Sequence, residues 1–204
     1  MSQTRSILAE LAFLAVLAAA TAALAPGPPA GAVPEAAEER ADTPRALLVD
    51  WFRVHSSALE DDEIASAADC ILRESERRGL DAALVLAVIE VESAGDAFAF
   101  SSAGAVGLMQ LRPSTAEATA RRAGLDWRGV ASLAEPEVNI QLGVAYLREL
   151  IDRFGSVEAA LAAYNLGPSR LASRLARGDP MPSAYARRVR RAFGGPLDRG
   201  VRFL

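Results

Sequence analysis

One segment of the chain, LDAALVLAVIEVESAG at residues 80–95, constrains the fold more than any other. Between Ala82 and Val91 its only polar residue is Glu90, so a helix over this stretch is apolar on nearly every side. Asp81 is placed to cap the start of that helix, and Gly95 to end it. A helix of this kind is stable in water only when other elements cover it. The segment therefore predicts a central helix with the rest of the domain packed around it.

The other segments repeat a helical spacing of apolar residues, without strand-like alternation longer than a few residues. Capping signals and glycines separate them. The segment before the central helix is predicted to begin with a Ser57–Glu60 capping box and to stop at Gly79. The sequence thus predicts an all-α domain joined by short loops. The remaining helical segments are residues 113–124, 135–155, 156–168, 169–178 and 183–195.

Residues 1–25 have the pattern of an export signal. Arg5 precedes an uncharged run, Leu11–Ala25, which ends in Ala-Leu-Ala and so resembles a signal-peptidase site. A leader that is not cleaved would instead tether the protein to a membrane. Residues 26–56 begin rich in proline, alanine and glutamate and are interpreted as a linker. The helical domain is predicted over residues 57–204.

Charge and the scarcity of metal-binding residues exclude several classes of function. The formal net charge of −4 is too small to indicate electrostatic capture of nucleic acid. The chain has one cysteine, Cys70, and one histidine, His55. These numbers exclude a disulfide framework, zinc-hydrolase chemistry and Cys/His protease chemistry. We therefore expect neither a metal nor another cofactor.

Glu92, one turn from the end of the central helix, is the first candidate for chemistry. Burial disfavours the charged form of a carboxyl group, and a proton held near neutral pH makes that group a general acid. Judged by position alone, a solvated glutamate at a helix end is the commoner outcome. Glu90 competes for the same role. It lies two residues earlier and about 200° away around the helix, so the two side chains cannot point the same way. Periodicity does not decide which of the two faces a cleft.

Two later segments carry polar residues at places where the backbone must turn. The stretch SSAGAVGLMQLRPST places Gly104 and Gly107 ahead of Gln110, whose amide both donates and accepts hydrogen bonds. The stretch AAYNLGP places Tyr164 and Asn165 at a helix end before a glycine. Each feature alone has an ordinary structural explanation, such as a packed aromatic ring with a satisfied hydroxyl.

Taken together, these segments resemble the soluble (SLT) type of lytic transglycosylase over about residues 75–190. The resemblance rests on an ordered series: VIEVES, SSAGAVGLMQLRPST, WRGVASLAEPEVNIQLGVAYL, AALAAYNLGP and PSAYARRV. Ser101 follows Glu92 by nine residues, and Gln110 follows Ser101 by nine more. One departure is Ser102, where family members often carry proline. The family is similar in fold to goose-type lysozyme, which implies an all-α, lysozyme-like domain with a glycan-binding cleft.

The resemblance also implies roles for individual residues. The family's catalytic acid is the glutamate of its Glu-Ser pair, which falls on Glu92, whereas Glu90 occupies a variable position. The residues that the match would place in contact with substrate are Ser93, Ser101, Met109, Gln110, Tyr164, Asn165 and Tyr185.

The implied reaction uses one protein carboxyl group and needs no cofactor. Glu92 would cleave the β-1,4 bond between N-acetylmuramic acid and N-acetylglucosamine in peptidoglycan glycan strands, leaving 1,6-anhydromuramyl ends. Asp96 lies close enough along the chain to suggest a second catalytic carboxylate, but the resemblance assigns it no role. An exported protein of this kind would act in the periplasm or cell envelope.

Two other functions fit the same fold. One is a catalytically silent module that binds peptidoglycan, and the other is a lysozyme-like hydrolase. The last predicted helix is strongly basic, with Arg187, Arg188, Arg190 and Arg191. This basic helix is either a solvated face or a contact for anionic groups of the envelope.

Overall fold

A computed structural model describes residues 43–194 of the chain, and the predicted leader at residues 1–25 lies outside that part. Within the described residues the fold is all-α, as predicted, with eight α-helices and a short 3-10 helix, Val130–Ala134. None of these helices is long and apolar enough to cross a membrane. The helices are α1 (Pro44–His55), α2 (Asp61–Arg77), α3 (Ala82–Ser93), α4 (Pro113–Ala123), α5 (Pro136–Phe154), α6 (Val157–Leu166), α7 (Pro168–Ala176) and α8 (Ala184–Phe193).

The central helix is α3, and its start is as predicted. The Asp81 side chain accepts a hydrogen bond from the Ala83 N–H at 2.8 Å. Most of the α3 surface is buried, as its composition requires. The helix ends at Ser93, and Ala94 rather than Gly95 is the first residue in the left-handed region, with φ of 52°. Gly95 follows with φ of 88°, where a Cβ atom would lie 3.1 Å from His55 Cβ. The buried α3 residues are Leu84, Val85, Ala87, Val88 and Ile89.

The predicted start of α2 was wrong by one turn. The helix begins at Asp61, and the capping box is formed by Glu60 and Glu63, with the Glu60 N–H donating to Glu63 Oε2 at 3.0 Å. Leu59 is 8% exposed and packs in the core. Burial of Leu59 draws the chain inward, so the turn at Ser57 lies outside the helix.

The interpretation of residues 26–56 as a linker was wrong for residues 44–55, which form α1. Pro44 occupies the first turn, where proline needs no hydrogen-bond donor, and the Thr43 side chain accepts from the Ala46 N–H at 3.2 Å. Helix α1 buries its apolar side against α2, and the Arg45 Nε donates to Asp69 Oδ1 at 2.6 Å. The helical domain thus includes α1. The buried residues of α1 are Leu48, Val49 and Phe52.

Helix α5 is the longest of the described helices and packs against three others, α2, α4 and α6. The C-terminal helix α8 packs against α3 and α6. Tyr185 and Val189 lie on the buried side of α8. This packing brings Tyr185 of α8 to the C-terminal end of the central helix α3.

Candidate active site

Glu92 lies in the last turn of α3, where α8 covers it. Its side chain is partly buried, and the Tyr185 hydroxyl donates a hydrogen bond to Glu92 Oε1 at 2.6 Å. Burial raises the pKa of the Glu92 carboxyl, while the hydrogen bond from Tyr185 and the positive charge of Arg188 oppose part of that rise. Glu90, the competing candidate, is exposed. The structure therefore places Glu92, and not Glu90, in surroundings that favour a neutral acid.

Three tyrosines extend from Glu92 into the domain. The rings of Tyr185 and Tyr164 are nearly parallel, with centroids 6.4 Å apart, and Tyr164 and Tyr146 are 5.3 Å apart. Burial raises the pKa of Tyr164 and Tyr185 well above the usual value and that of Tyr146 to about 12. All three hydroxyls are therefore neutral near pH 7. The acid thus has a neutral hydrogen-bond donor as its partner rather than an ion.

Ser93 fastens the loop that follows α3. Its Oγ lies 2.8 Å from the Leu108 carbonyl oxygen and 3.1 Å from that of Ile89, and it accepts from the Gly95 N–H at 3.2 Å. A serine hydroxyl has a single hydrogen to share between the two carbonyls. Because these contacts occupy the hydroxyl, the geometry gives Ser93 a structural role beside Glu92.

The prediction that Met109 contacts substrate is not supported by its position, because its side chain has 0% exposed surface. Met109 packs against α5 at Gly143, where a Cβ atom would lie 2.2 Å from the methionine sulfur. Its backbone is also held, since the Tyr164 hydroxyl donates to the Met109 carbonyl oxygen at 2.8 Å. Met109 therefore supports the loop from beneath, and Gly143 makes room for it.

Asn139 is a site-supporting residue that the sequence analysis did not single out. It is fully buried at the start of α5, where its Oδ1 accepts from the Met109 N–H at 2.7 Å. Its Nδ2 donates to the carbonyl oxygens of Val106 and Leu133, both at 2.9 Å. At Gly107 a Cβ atom would lie 2.3 Å from this nitrogen. A polar residue among the apolar positions of α5 was the available signal, since a buried amide must find partners.

Gln110 and Ser101 are also engaged in holding the loop. Gln110 is in the left-handed region with φ of 47°, and its Nε2 donates to the carbonyl oxygens of Ala99 and Gly107, both at 3.0 Å. Gln110 Oε1 makes no hydrogen bond within residues 43–194 and is the atom left for a ligand. Ser101 Oγ accepts from the Ala105 N–H at 3.0 Å and keeps its own hydrogen to donate. Asn165 is exposed at the end of α6.

The other polar candidates lie outside this arrangement. Asp96 is exposed, and its Oδ1 accepts from the Phe98 N–H at 2.8 Å, which makes it a turn residue. Burial raises the pKa of Cys70 to about 12, so its thiol is unreactive near neutral pH. His55 is exposed and stacks on Trp51. Among the described residues no group of three or more metal-binding side chains lies close enough together to hold an ion.

Comparison with known families decides what kind of domain this is. The sequence model described as the transglycosylase SLT domain matches residues 69–179, which is more than half of the 204-residue chain. The chain belongs to the transglycosylase SLT domain family. The matched residues include Glu92 and the whole loop through Gln110, and they end before Tyr185.

The chain matches only part of each of two curated relatives. It is 37% identical over 125 residues to a transglycosylase of Enterobacteria phage PRD1, covering 60% of this chain and 43% of the phage protein. It is 37% identical over 105 residues to a soluble lytic murein transglycosylase of Salmonella typhimurium, covering 50% of this chain and 16% of that protein. The chain thus spans less than half the length of either relative.

Solved structures share the fold. The chain is similar to the 70 kDa soluble lytic transglycosylase of Escherichia coli, with a TM-score of 0.58 and 22% identity over 78% of this chain and 32% of that one. An inactive mutant of the lytic transglycosylase Slt from Pseudomonas aeruginosa gives 0.52 and 23%, covering 83% and 36% of the two chains. At this identity the likeness establishes the all-α SLT fold.

Proposed function

We propose that this SLT domain is a lytic transglycosylase that cleaves peptidoglycan between N-acetylmuramic acid and N-acetylglucosamine. The observation that carries the proposal is the state of Glu92. This carboxyl group is partly buried, its pKa is raised, and its partner at 2.6 Å is a neutral hydroxyl. A general acid needs a proton that it still holds near the working pH. Membership of the SLT family supplies the substrate class, since relatives carry murein in their names.

In the first step Glu92 donates its proton to the oxygen that bridges C1 of the muramyl residue and C4 of the next sugar. The C1–oxygen bond breaks, and the N-acetylglucosamine leaves with a 4-hydroxyl. Positive charge develops at C1, and the muramyl residue's own 2-acetamido oxygen stabilises it, as in substrate-assisted glycosidases. Glu92 is left as a carboxylate that accepts the hydrogen bond from Tyr185.

In the second step the Glu92 carboxylate takes the proton from the C6 hydroxyl of the same muramyl residue. The C6 oxygen then bonds to C1, which closes the 1,6-anhydro ring and returns Glu92 to its protonated form. No water is consumed. An attacking group on the same sugar has an effective molarity that reaches about 10⁵ M or more, enough to compete with water.

The hydroxyl of Ser101, Oε1 of Gln110 and the side chain of Asn165 are the groups we assign to binding the glycan. Each has hydrogen-bonding capacity that the described residues leave unused, and the loop contacts of Ser101 and Gln110 limit the entropy lost on binding. Tyr164 is partly buried, and we assign to the glycan site the part of its side chain that is exposed. Ser93 and Met109 support these groups from within the fold.

We further propose that the protein is exported and acts in the cell envelope, where its substrate is. The pattern of residues 1–25 supports export. Cleavage of that leader would release the domain into the periplasm, and retention would tether it to the membrane.

The proposal is tested by mass spectrometry of intact sacculi digested with the full chain. We expect muropeptides that end in 1,6-anhydromuramic acid, each lighter by one water than a hydrolase product. Loss of a general acid lowers the rate by about 10²- to 10⁴-fold, so Glu92→Gln should release almost none of them. Glu90→Gln, an exposed neighbour on the same helix, is the matched control and should remain active.

Three results would count against the proposal. Reducing ends without the anhydro form would indicate a lysozyme-like hydrolase. Sacculi that are bound but never cleaved would indicate a silent peptidoglycan-binding module. Full activity in Glu92→Gln would remove Glu92 from the mechanism.

A further inference from the structure

Arg188 is an exposed arginine at the candidate active site that the proposed mechanism does not use. It lies three residues after Tyr185 on α8, and its guanidinium carbon is 5.4 Å from the centre of the Tyr185 ring. The hydroxyl of that same tyrosine donates to Glu92. A guanidinium group over an aromatic face gains a modest cation–π attraction, which favours one position of the long side chain. Arg188 is therefore held beside the catalytic acid.

The charge of Arg188 has no partner within residues 43–194. No carboxylate there forms a salt bridge with it, and its guanidinium makes no hydrogen bond. The neighbouring Arg187, by contrast, donates from Nη1 to the Ser183 hydroxyl. Glu92 does not neutralise Arg188 in the reactive state either, because the acid must then carry its proton. The site ready for reaction thus presents one unpaired positive charge.

The proposed substrate carries the complementary group. The sugar rings of a glycan strand are uncharged, but each muramyl residue bears a lactyl branch that ends in a carboxylate or in a peptide with carboxylates. The muramyl residue is also the one whose C1 reacts beside Glu92. A protonated Glu92 would not repel an anionic branch, whereas an ionised one would.

We propose that Arg188 binds a carboxylate on the branch of the muramyl residue and so selects peptidoglycan over neutral glycans. The inference rests on the proposed function and adds to it a residue that determines specificity. Arg188 suits the role because a planar guanidinium group forms paired hydrogen bonds with a carboxylate.

The test measures binding rather than cleavage, with all variants built on Glu92→Gln in the full chain. That background prevents turnover and also removes the charge at residue 92, so an electrostatic effect of Arg188 on the acid does not contribute. The three ligands are chitohexaose, which is neutral, peptide-free glycan strands with lactyl carboxylates, and strands that keep their stem peptides. Arg191→Gln is the matched control, since it removes the same charge from an exposed position one turn along α8.

We expect Arg188→Gln to weaken binding of carboxylate-bearing strands about fivefold at low salt, the size typical of an exposed ion pair, and less at high salt. Chitohexaose binding should be unchanged, and Arg191→Gln should bind all three ligands normally. Loss confined to strands with stem peptides identifies a peptide carboxylate. Loss confined to peptide-free strands identifies the lactyl carboxylate, which is an amide where a stem peptide is attached, and loss on both strand types shows that Arg188 accepts either carboxylate.

Equal weakening of all three ligands would overturn the inference, as would an equal effect of Arg191→Gln. Unchanged binding of every ligand in Arg188→Gln would overturn it too. If the Glu92→Gln protein binds none of the glycans, the proposed function itself fails.

Discussion

Two acidic side chains near helix ends, Glu74 and Glu92, have opposite surroundings. Glu74 is 1% exposed in α2, and its carboxylate forms a cluster of ion pairs. Glu92 in α3 has the neutral hydroxyl of Tyr185 as its hydrogen-bond partner. The nitrogens around Glu74 are Arg78 Nε at 3.4 Å, Arg77 Nη1 at 3.6 Å and Arg73 Nε at 3.9 Å.

If Glu92 is the catalytic acid that we propose, burial alone is not what distinguishes such an acid. Glu74 is the more buried of the two, but arginine side chains lie around it and form ion pairs with its carboxylate. At Glu92 burial acts on a group whose nearest partner carries no charge, so its effect on the pKa is not cancelled. We infer that the kind of partner, and not the depth of burial, distinguishes the structural carboxylate of Glu74 from the proposed proton donor Glu92.

The first prediction concerns the contribution of the Glu74 ion pairs to the stability of the fold. Arg78 Nε and Glu74 Oε2 are both buried, and neither has a hydrogen-bond partner in the described part of the chain. Glu74→Ala removes the carboxylate beside the buried Arg78 Nε, whereas Arg73 and Arg77 are exposed to water, so it should lower the free energy of unfolding by about 2 kcal/mol. For a domain of this size the melting temperature should fall by about 6 °C, which circular dichroism can measure.

The matched control is Glu76→Ala, which removes an exposed carboxylate from the same helix and should leave the melting temperature nearly unchanged. Cleavage per folded molecule should be normal in both variants, because Glu74 takes no part in the reaction. A Glu74→Ala protein as stable as the wild type would show that the arginine cluster contributes nothing.

A second prediction concerns the effect of the Tyr185 hydroxyl on the pKa of Glu92. Tyr185→Phe keeps the ring, and with it the stacking of Arg188, but removes the hydrogen bond to Glu92. That hydrogen bond lowers the pKa of Glu92, so its loss should raise the pKa further. The acid must be protonated to act, so activity falls as the pH rises through this pKa.

The alkaline side of the pH profile of kcat/KM should therefore move to higher pH in Tyr185→Phe. We also expect kcat/KM at its optimum to fall about tenfold, since a buried hydrogen bond to a reacting group is lost. Rates measured on isolated glycan strands across the pH range provide the test. A profile that stays in place, or moves to lower pH, would contradict the assigned role of the hydroxyl.

Local features of this fold could be predicted from the sequence because neighbouring residues determine them. The cap at Asp81 and the burial of α3 depend on residues within one or two turns, and both are as predicted. The start of α2 was ambiguous locally, since Ser57–Glu60 and Glu60–Glu63 are both capping patterns. Packing of Leu59 in the core decides between them.

Other features depend on contacts between distant parts of the chain. Tyr185 and Glu92 are 93 residues apart, and no periodicity relates them. Only the family resemblance placed Tyr185 at the same substrate site as Glu92. The structural contacts of Ser93 and Met109 could not be predicted for the same reason: their partners, Leu108 and Gly143, are determined by how the loop folds onto α5.

Helix α1 was missed for a different reason. Its segment follows a stretch rich in proline, alanine and glutamate, and only three of its side chains are buried, so its apolar pattern is short. The signal was present in Thr43 and Pro44, a cap followed by proline in the first turn. The cap and that short apolar spacing together identify the helix.

The most direct test of the Glu92 assignment is a titration of its carboxyl carbon by ¹³C NMR. The Glu92→Gln spectrum assigns the resonance. We expect the Glu92 midpoint to lie above the ordinary value for glutamate, because burial raises its pKa. A midpoint at or below the ordinary value would mean that Glu92 has already lost its proton near neutral pH, and that it is not the general acid.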